Sequence, residues 1–329
     1  MRRFYTPPRV PAAFFGIVLG IAGLGNAWRA AAHIWPVPGF VGEILFALAA
    51  VIWAVLLVLF ILKWVQDRGA ALAEAWHPVN CCFIGLIGVA TMLIGLGALP
   101  YSRPLAMLLF WVGGFFTLAF AVWRTGVLWQ GGRDLATTTP VLYLPAVAGG
   151  YVTAITGAAL GYHEFAQMAF GAAVLTWLAI ESMLLNRLYN LPGLPPPLRP
   201  ALGIQLAPST VGLTAYLSVN GGTPDLAAHM LLGYGLLQAA LMLRLLPWIL
   251  QQPFSASYWG FTFGVAALAA APVRMAAQGD GGLVKLLAPF LFIAGNAVIG
   301  LIAVMTLKLL AQGRLLPPPA PVAGAPAGP

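Results

Sequence analysis

Charge is what this chain has least of: 7% of its 329 residues are Asp, Glu, Lys or Arg, and only eight are acidic. A soluble domain carries roughly 25% charge, so solvation as an aqueous globule is excluded. Cysteine is nearly absent too. The two present, Cys81 and Cys82, are adjacent, and a bridge between neighbours is strained. They read as small, reduced, buried side chains, which excludes a disulfide framework. His33, His77, His163 and His229 have no second ligand at metal-binding spacing. There is no Ser-His-Asp set, no pair of catalytic carboxylates and no phosphate-binding loop. The chain reads as a protein without catalysis, cofactor or metal.

What it has in excess is apolar length. Hydrophobic residues make up 61% of the chain and the mean hydropathy is +0.91. A bilayer core needs about 20 apolar residues per spanning helix. Ten such stretches are expected, near 12–33, 40–66, 78–98, 104–130, 141–161, 164–188, 200–220, 225–250, 254–277 and 283–311. The fold class expected is therefore all-α and polytopic. Residues 1–10 form a short leading segment, 11–312 the ten-helix domain, and 313–329 a Pro/Ala-rich tail read as disordered. Arg2 and Arg3 resemble the start of a signal peptide, but the apolar run behind them is too long and no cleavage site follows, so it reads as the first span.

The net charge of +8 is a topology signal rather than a nucleic-acid footprint. Twelve Lys and Arg fall on the side shared by the amino terminus and the loops after even spans. The other side holds four: Arg29, Arg103, Arg274 and Lys285. That bias places both termini in the cytoplasm.

A repeat underlies the ten stretches. Prolines at positions 11, 78, 140, 200 and 253 each head a Gly/Ala/Thr-rich helix, and a Leu/Trp-rich helix ending in Arg or Lys follows. Small residues suit close packing, and bulky ones suit a lipid-facing ring. Five inner helices inside five outer ones, all repeats running the same way, describe a pore around an axis normal to the membrane. Pro145 and Pro208 are expected inside inner helices and bend them. Gly88, Gly260 and Gly264 read either as further points of bending or as close contacts. Thr and Ser, Thr262 among them, are the main polar side chains of the inner spans, so a hydroxyl-lined path suited to weakly hydrated anions is expected.

Two further features bear on function. Glu181 is the one carboxylate deep within a span, so it is either a proton-coupling group or half of a buried ion pair with Arg124 or Arg244. In Tyr258-Trp259-Gly260-Phe261-Thr262-Phe263-Gly264, Phe261 and Phe263 point to opposite faces of one helix. At most one can face the central axis, and packing logic alone leaves open whether either is more than core.

The runs Leu128-Trp129-Gln130-Gly131-Gly132, Tyr143-Leu144-Pro145-Ala146, Ala215-Tyr216-Leu217-Ser218, Gly233-Tyr234-Gly235 and Phe261-Thr262-Phe263-Gly264 carry a resemblance that spans roughly residues 11–312. The chain resembles the bacterial TehA-type tellurite-resistance/dicarboxylate transporter family, homologous to plant guard-cell slow anion channels. The resemblance implies ten helices in five hairpins, odd helices around a pore, three protomers side by side in the bacterial inner membrane, and anions as the permeating substrate. It also implies that Phe263 is the gate and Phe261 packing. Proton-coupled transport of dicarboxylates or oxyanions is the alternative it leaves. The family's prolines in the first and third helices are replaced here by Val18 and Gly88, so bending at those points does not carry over.

Overall fold

The computed structural model describes residues 8–316. Arg2, Arg3 and the tail from Pro317 lie outside the described residues. Every regular element among the described residues is helical, and nine helical stretches are long and apolar enough to cross a bilayer. The chain is an all-α, multi-pass membrane protein. The tenth expected stretch is present as a helix, with eleven residues of 3-10 helix followed by thirteen of α-helix. Its four prolines (Pro196, Pro197, Pro200 and Pro208) and polar Gln205, Ser209 and Thr210 hold its apolarity down.

Two kinds of helix alternate. The long ones are α2 (Phe40–Gln66), α5 (Arg103–Trp129), α7 (His163–Asn190), α9 (Leu226–Ile249) and α11 (Gly282–Ala311). At 1.5 Å per residue they run roughly 36–45 Å, enough to span. Only 22–28% of their most apolar part is buried, against 67–83% in four of the five shorter stretches that precede them. Those shorter stretches carry α1 (Phe15–Ala32), α4 (Leu86–Ala98), α6 (Gly149–Ala159), α8 (Ala207–Val219) and α10 (Thr262–Ala277). A small amphipathic helix, α3 (Arg68–Trp76), follows α2.

The inner helices close into a ring: α1 packs on α4, α4 on α6, α6 on α8, α8 on α10, and α10 back on α1. Each outer helix packs on the inner helix before it in sequence. Glycine permits the close approach. A Cβ on Gly20 would lie 2.1 Å from Thr262 Oγ1, and one on Gly88 would lie 2.2 Å from Thr117 Oγ1 and 2.5 Å from the Gly113 carbonyl. Gly88 is therefore a close packing contact with α5.

None of the inner stretches is α-helical from its start. Short 3-10 segments open them at Ala12–Phe14, Asn80–Gly85, Pro140–Leu142, Pro196–Leu206 and Ala256–Phe261, and a π-helical turn covers Leu144–Ala148. Prolines at or near each entry withdraw backbone N–H groups and disfavour the α conformation in the residue before them. Long 3-10 runs are uncommon, yet here one lasts eleven residues. The expected kinks are thus changes of helix type. Pro145 sits in the π turn, and Pro208 falls in the first turn of α8, where a missing N–H costs nothing.

The first stretch is locked at its start. Glu74 on α3 accepts from the Ala12 N–H at 2.7 Å, and the buried Lys63 ammonium reaches both Glu74 and the Val10 carbonyl.

Candidate functional site

Two cavities lie within the inner ring, one at each end. The 3-10 entries of all five stretches meet around the first, of about 430 Å³, and the carboxyl ends of all five α-helices meet around the second, of about 640 Å³. The five stretches therefore run in one direction, as a parallel repeat requires. The first cavity is mainly apolar, with Leu19, Val147, Val211, Ile204 and Phe263 in its wall beside Asn80, Ser255, Ser257 and Arg314. The second is polar, with Asn26, Arg29, His33, Ser218, Arg274 and Gln278. Between them is a band of inner-helix residues that lines neither.

Phe263 stands where the first cavity meets that band. Its side chain is half-buried and faces Gly23 of α1, where an added Cβ would come within 3.5 Å of the ring. Phe261 points the other way. It stacks on Tyr258 with ring centroids 6.3 Å apart and covers Gly203, where a Cβ would lie 2.3 Å from the ring. The two faces demanded by helical geometry are occupied in this order, with Phe263 in the wall of the first cavity and Phe261 in the core.

Of the other residues singled out as hinge or lining, Gly260 and Pro208 are in the wall of the first cavity. Pro145, Gly88, Thr262 and Gly264 line neither cavity. Thr262 is fully buried, and its hydroxyl donates to the Trp259 carbonyl at 2.8 Å. Gly264 is in contact with Leu206 and the Ala207 amide. The hydroxyl-lined path is also corrected. Thr91, Thr153, Thr156 and Thr214 donate to carbonyls one turn back on their own helices, and Thr210 donates to Leu206 and Gly264. Such local bonding is what a buried threonine in a helix does when no other acceptor is near.

Among the described residues Glu181 makes no ion pair. Its Oε2 accepts from Tyr143 Oη at 2.5 Å and Trp177 Nε1 at 2.9 Å, and its Oε1 accepts from Gln205 Nε2 at 2.8 Å and Tyr234 Oη at 2.5 Å. Four neutral donors on four different segments replace the expected cation. Arg244 is exposed on α9, roughly 240° around the helix from the inward-facing Gln238. Arg124 is buried within α5 and touches no carboxylate among the described residues. A sequence signal existed for part of this hub, since Trp177 stands one turn before Glu181. Its other three donors come from distant stretches.

Sequence reasoning also missed what the outer-side arginines do. Arg29 binds Glu43 through Nε at 2.8 Å and Nη2 at 2.6 Å, and donates to the Gly97 carbonyl at 2.9 Å. Tyr101 Oη donates to the same carboxylate at 2.7 Å, which raises the phenol above its ordinary pKa. Cys81 and Cys82 are buried free thiols, with sulfurs in hydrogen-bond contact at 3.8 Å.

Residues 9–307 match the family described as voltage-dependent anion channel (SLAC1). The tellurite resistance protein TehA homolog of Haemophilus influenzae is 36% identical over 309 residues, covering 94% of this chain and 93% of that protein. An uncharacterized transporter of Methanocaldococcus jannaschii is 24% identical over 77% of this chain and 80% of its own length. The S-type anion channel SLAH3 of Arabidopsis thaliana is 22% identical over 91% of this chain and 48% of its own. With most of its length matched and its helices arranged as above, the chain belongs to the SLAC1 voltage-dependent anion channel family.

Proposed function

We propose that this protein is a passive anion channel whose path runs along the axis of the inner ring and is closed by Phe263. Ten membrane crossings are read, the 196–219 stretch being the seventh. The observation that carries the reading is the pair of cavities on one axis, separated by the band at whose edge Phe263 stands. The excess of Lys and Arg beside the first cavity supports a cytoplasmic reading for that end and both termini, and the family likeness supports a bacterial inner membrane. Residues 11–312 form the channel domain, and the family likeness supports three protomers, each with its own path.

Selectivity follows from the lining. Moving a bare ion into a medium of low dielectric constant costs of order 20 kcal/mol by a Born estimate, and the cytoplasmic cavity offers few donors to repay it. Large, weakly hydrated anions such as thiocyanate and nitrate pass more readily than chloride. Tellurite stands as a candidate substrate on the name of a relative, and dicarboxylates on the family resemblance.

Phe263→Ala raises anion current in planar bilayers while Phe261→Ala does not. Reversal potentials under anion substitution then give the permeability order. Unchanged current in a normally expressed Phe263→Ala protein would overturn the assignment. The alternative, a proton-coupled carrier using Glu181, needs that carboxylate to accept a proton where a donated N–H or O–H already points.

A further inference from the structure

We infer that the outer cavity holds a permeating monovalent anion on Arg274, an inference that rests on the channel reading above. The cavity is bounded by the carboxyl ends of α1, α4, α6, α8 and α10. Helix carboxyl ends carry unpaired carbonyls and about half a negative charge each. Five of them around one mouth repel anions unless something offsets them.

Arginines provide the offset, each from a segment other than the helix it meets. Arg29 donates to the Gly97 carbonyl at the end of α4, Arg103 to Leu160 after α6 at 2.7 Å, and Arg274 to Thr214, inside α8 more than a turn before its end, at 3.1 Å. They differ in what charge remains. Arg29 is neutralised by Glu43. Arg103 is exposed and outside the cavity wall. Arg274 is in the wall and, among the described residues, meets only the Thr214 carbonyl and Ser218 Oγ, the latter at 3.3 Å from both terminal nitrogens.

The acids nearest in sequence to these elements are bonded elsewhere: Asp280 Oδ2 lies 3.1 Å from His229 Nε2, and Asp225 accepts from Tyr216 and the Ala228 N–H. Among the described residues Arg274 therefore has no carboxylate partner and its Nε–H has no acceptor, and the cavity it lines also presents Asn26 and Gln278. A small monovalent anion fits this donor set. A site that merely capped α8 would need the carbonyl contact and nothing more.

The test uses the full-length protein in two arms. In the first, Phe263→Ala and Phe263→Ala/Arg274→Gln are compared in planar bilayers with thiocyanate as the probe. At about 0.1 M salt, where the Debye length is about 10 Å, the second variant should conduct about tenfold less, and the difference should shrink at about 1 M, where it is about 3 Å. Arg274→Lys should keep most of the current. In the second arm, the melting temperature of purified protein with an intact Phe263 is titrated with thiocyanate at constant ionic strength. It should rise saturably, and Arg274→Gln should abolish the rise.

Equal currents at every salt concentration, or a melting temperature that Arg274→Gln lowers by the same amount with and without thiocyanate, would overturn the inference and leave a structural cap. Loss of current in all gate variants with an Arg274-dependent thiocyanate shift would count against the channel reading and leave the site standing.

Discussion

In the outer ring, Gly126, Gly171, Gly233 and Gly300 look out on open space, and a methyl added to any of them meets no atom within 4 Å. In the inner ring, the same methyl on Gly20 or Gly88 would sit within 2.2 Å of a threonine oxygen. The residue type is one and its physical role is two. On the lipid face of an outer helix these glycines are filler, while Gly42, Gly113, Gly235 and Gly295, on faces of outer helices turned to the inner ring, pack as tightly as the inner ones. Inside, glycine sets how near two backbones come, and so how wide the ring can be. The backbones differ in parallel: α-helix throughout in the outer ring, and 3-10 or π turns at every entry of the inner one. Apolar sequence therefore builds a uniform wall in one ring and a narrow, bent lining in the other.

The comparison breaks or sharpens at specific positions. The largest effect belongs to Glu181, where the two rings are joined. Glu181→Ala strands four donors on four segments, each costing about 1–3 kcal/mol when buried and unpaired. Against a total stability of about 5–15 kcal/mol, the folded protein should be largely lost from a detergent size-exclusion profile. Glu181→Gln keeps acceptor capacity on one oxygen and should lower the melting temperature by less. A Glu181→Ala protein that elutes and melts like wild type would show that the hub holds nothing together.

Next comes the inner glycine. Gly88→Val pushes against the Gly113 backbone as well as the Thr117 side chain, and overpacking of this kind costs about 1–3 kcal/mol. A clear drop in melting temperature is expected. The smallest effect belongs to the outer control. Gly171→Leu or Gly300→Leu should stay within about 0.5 kcal/mol of wild type, as surface changes do. If Gly88→Val and Gly171→Leu melt alike, the distinction between the rings fails.

Much of the two-ring plan was legible in the sequence because it rests on side-chain size, which composition displays directly. Gly/Ala/Thr-rich stretches such as 86–98 went inside and Leu/Trp-rich ones such as 103–129 outside. The split between Phe261 and Phe263 was legible up to its direction, since helical geometry requires opposite faces without saying which is inward. The 3-10 entries were not legible. Proline at a helix start is compatible with an α-helix as well as with the tighter turn, so Pro200 marked a boundary without revealing its type.

Polar pairing was the least readable. Glu181 invites a cation, and its true donors, Tyr143, Gln205 and Tyr234, lie 24 to 53 residues away. Arg29 and Arg274 declared a topology by their scarcity. Their work on the carboxyl ends of neighbouring helices depends on the ring closing.

The account stands most directly on whether Phe263 separates two water-filled vestibules. With Cys81 and Cys82 replaced by alanine, Ala30→Cys places one thiol in the outer cavity wall, to be challenged by an anionic methanethiosulfonate reagent applied from the cytoplasmic side of oriented membranes. The thiol should be protected while Phe263 is present and modified once Phe263→Ala is added. Modification at equal rates in both proteins would mean Phe263 closes nothing, and protection in both would mean no path runs between the cavities.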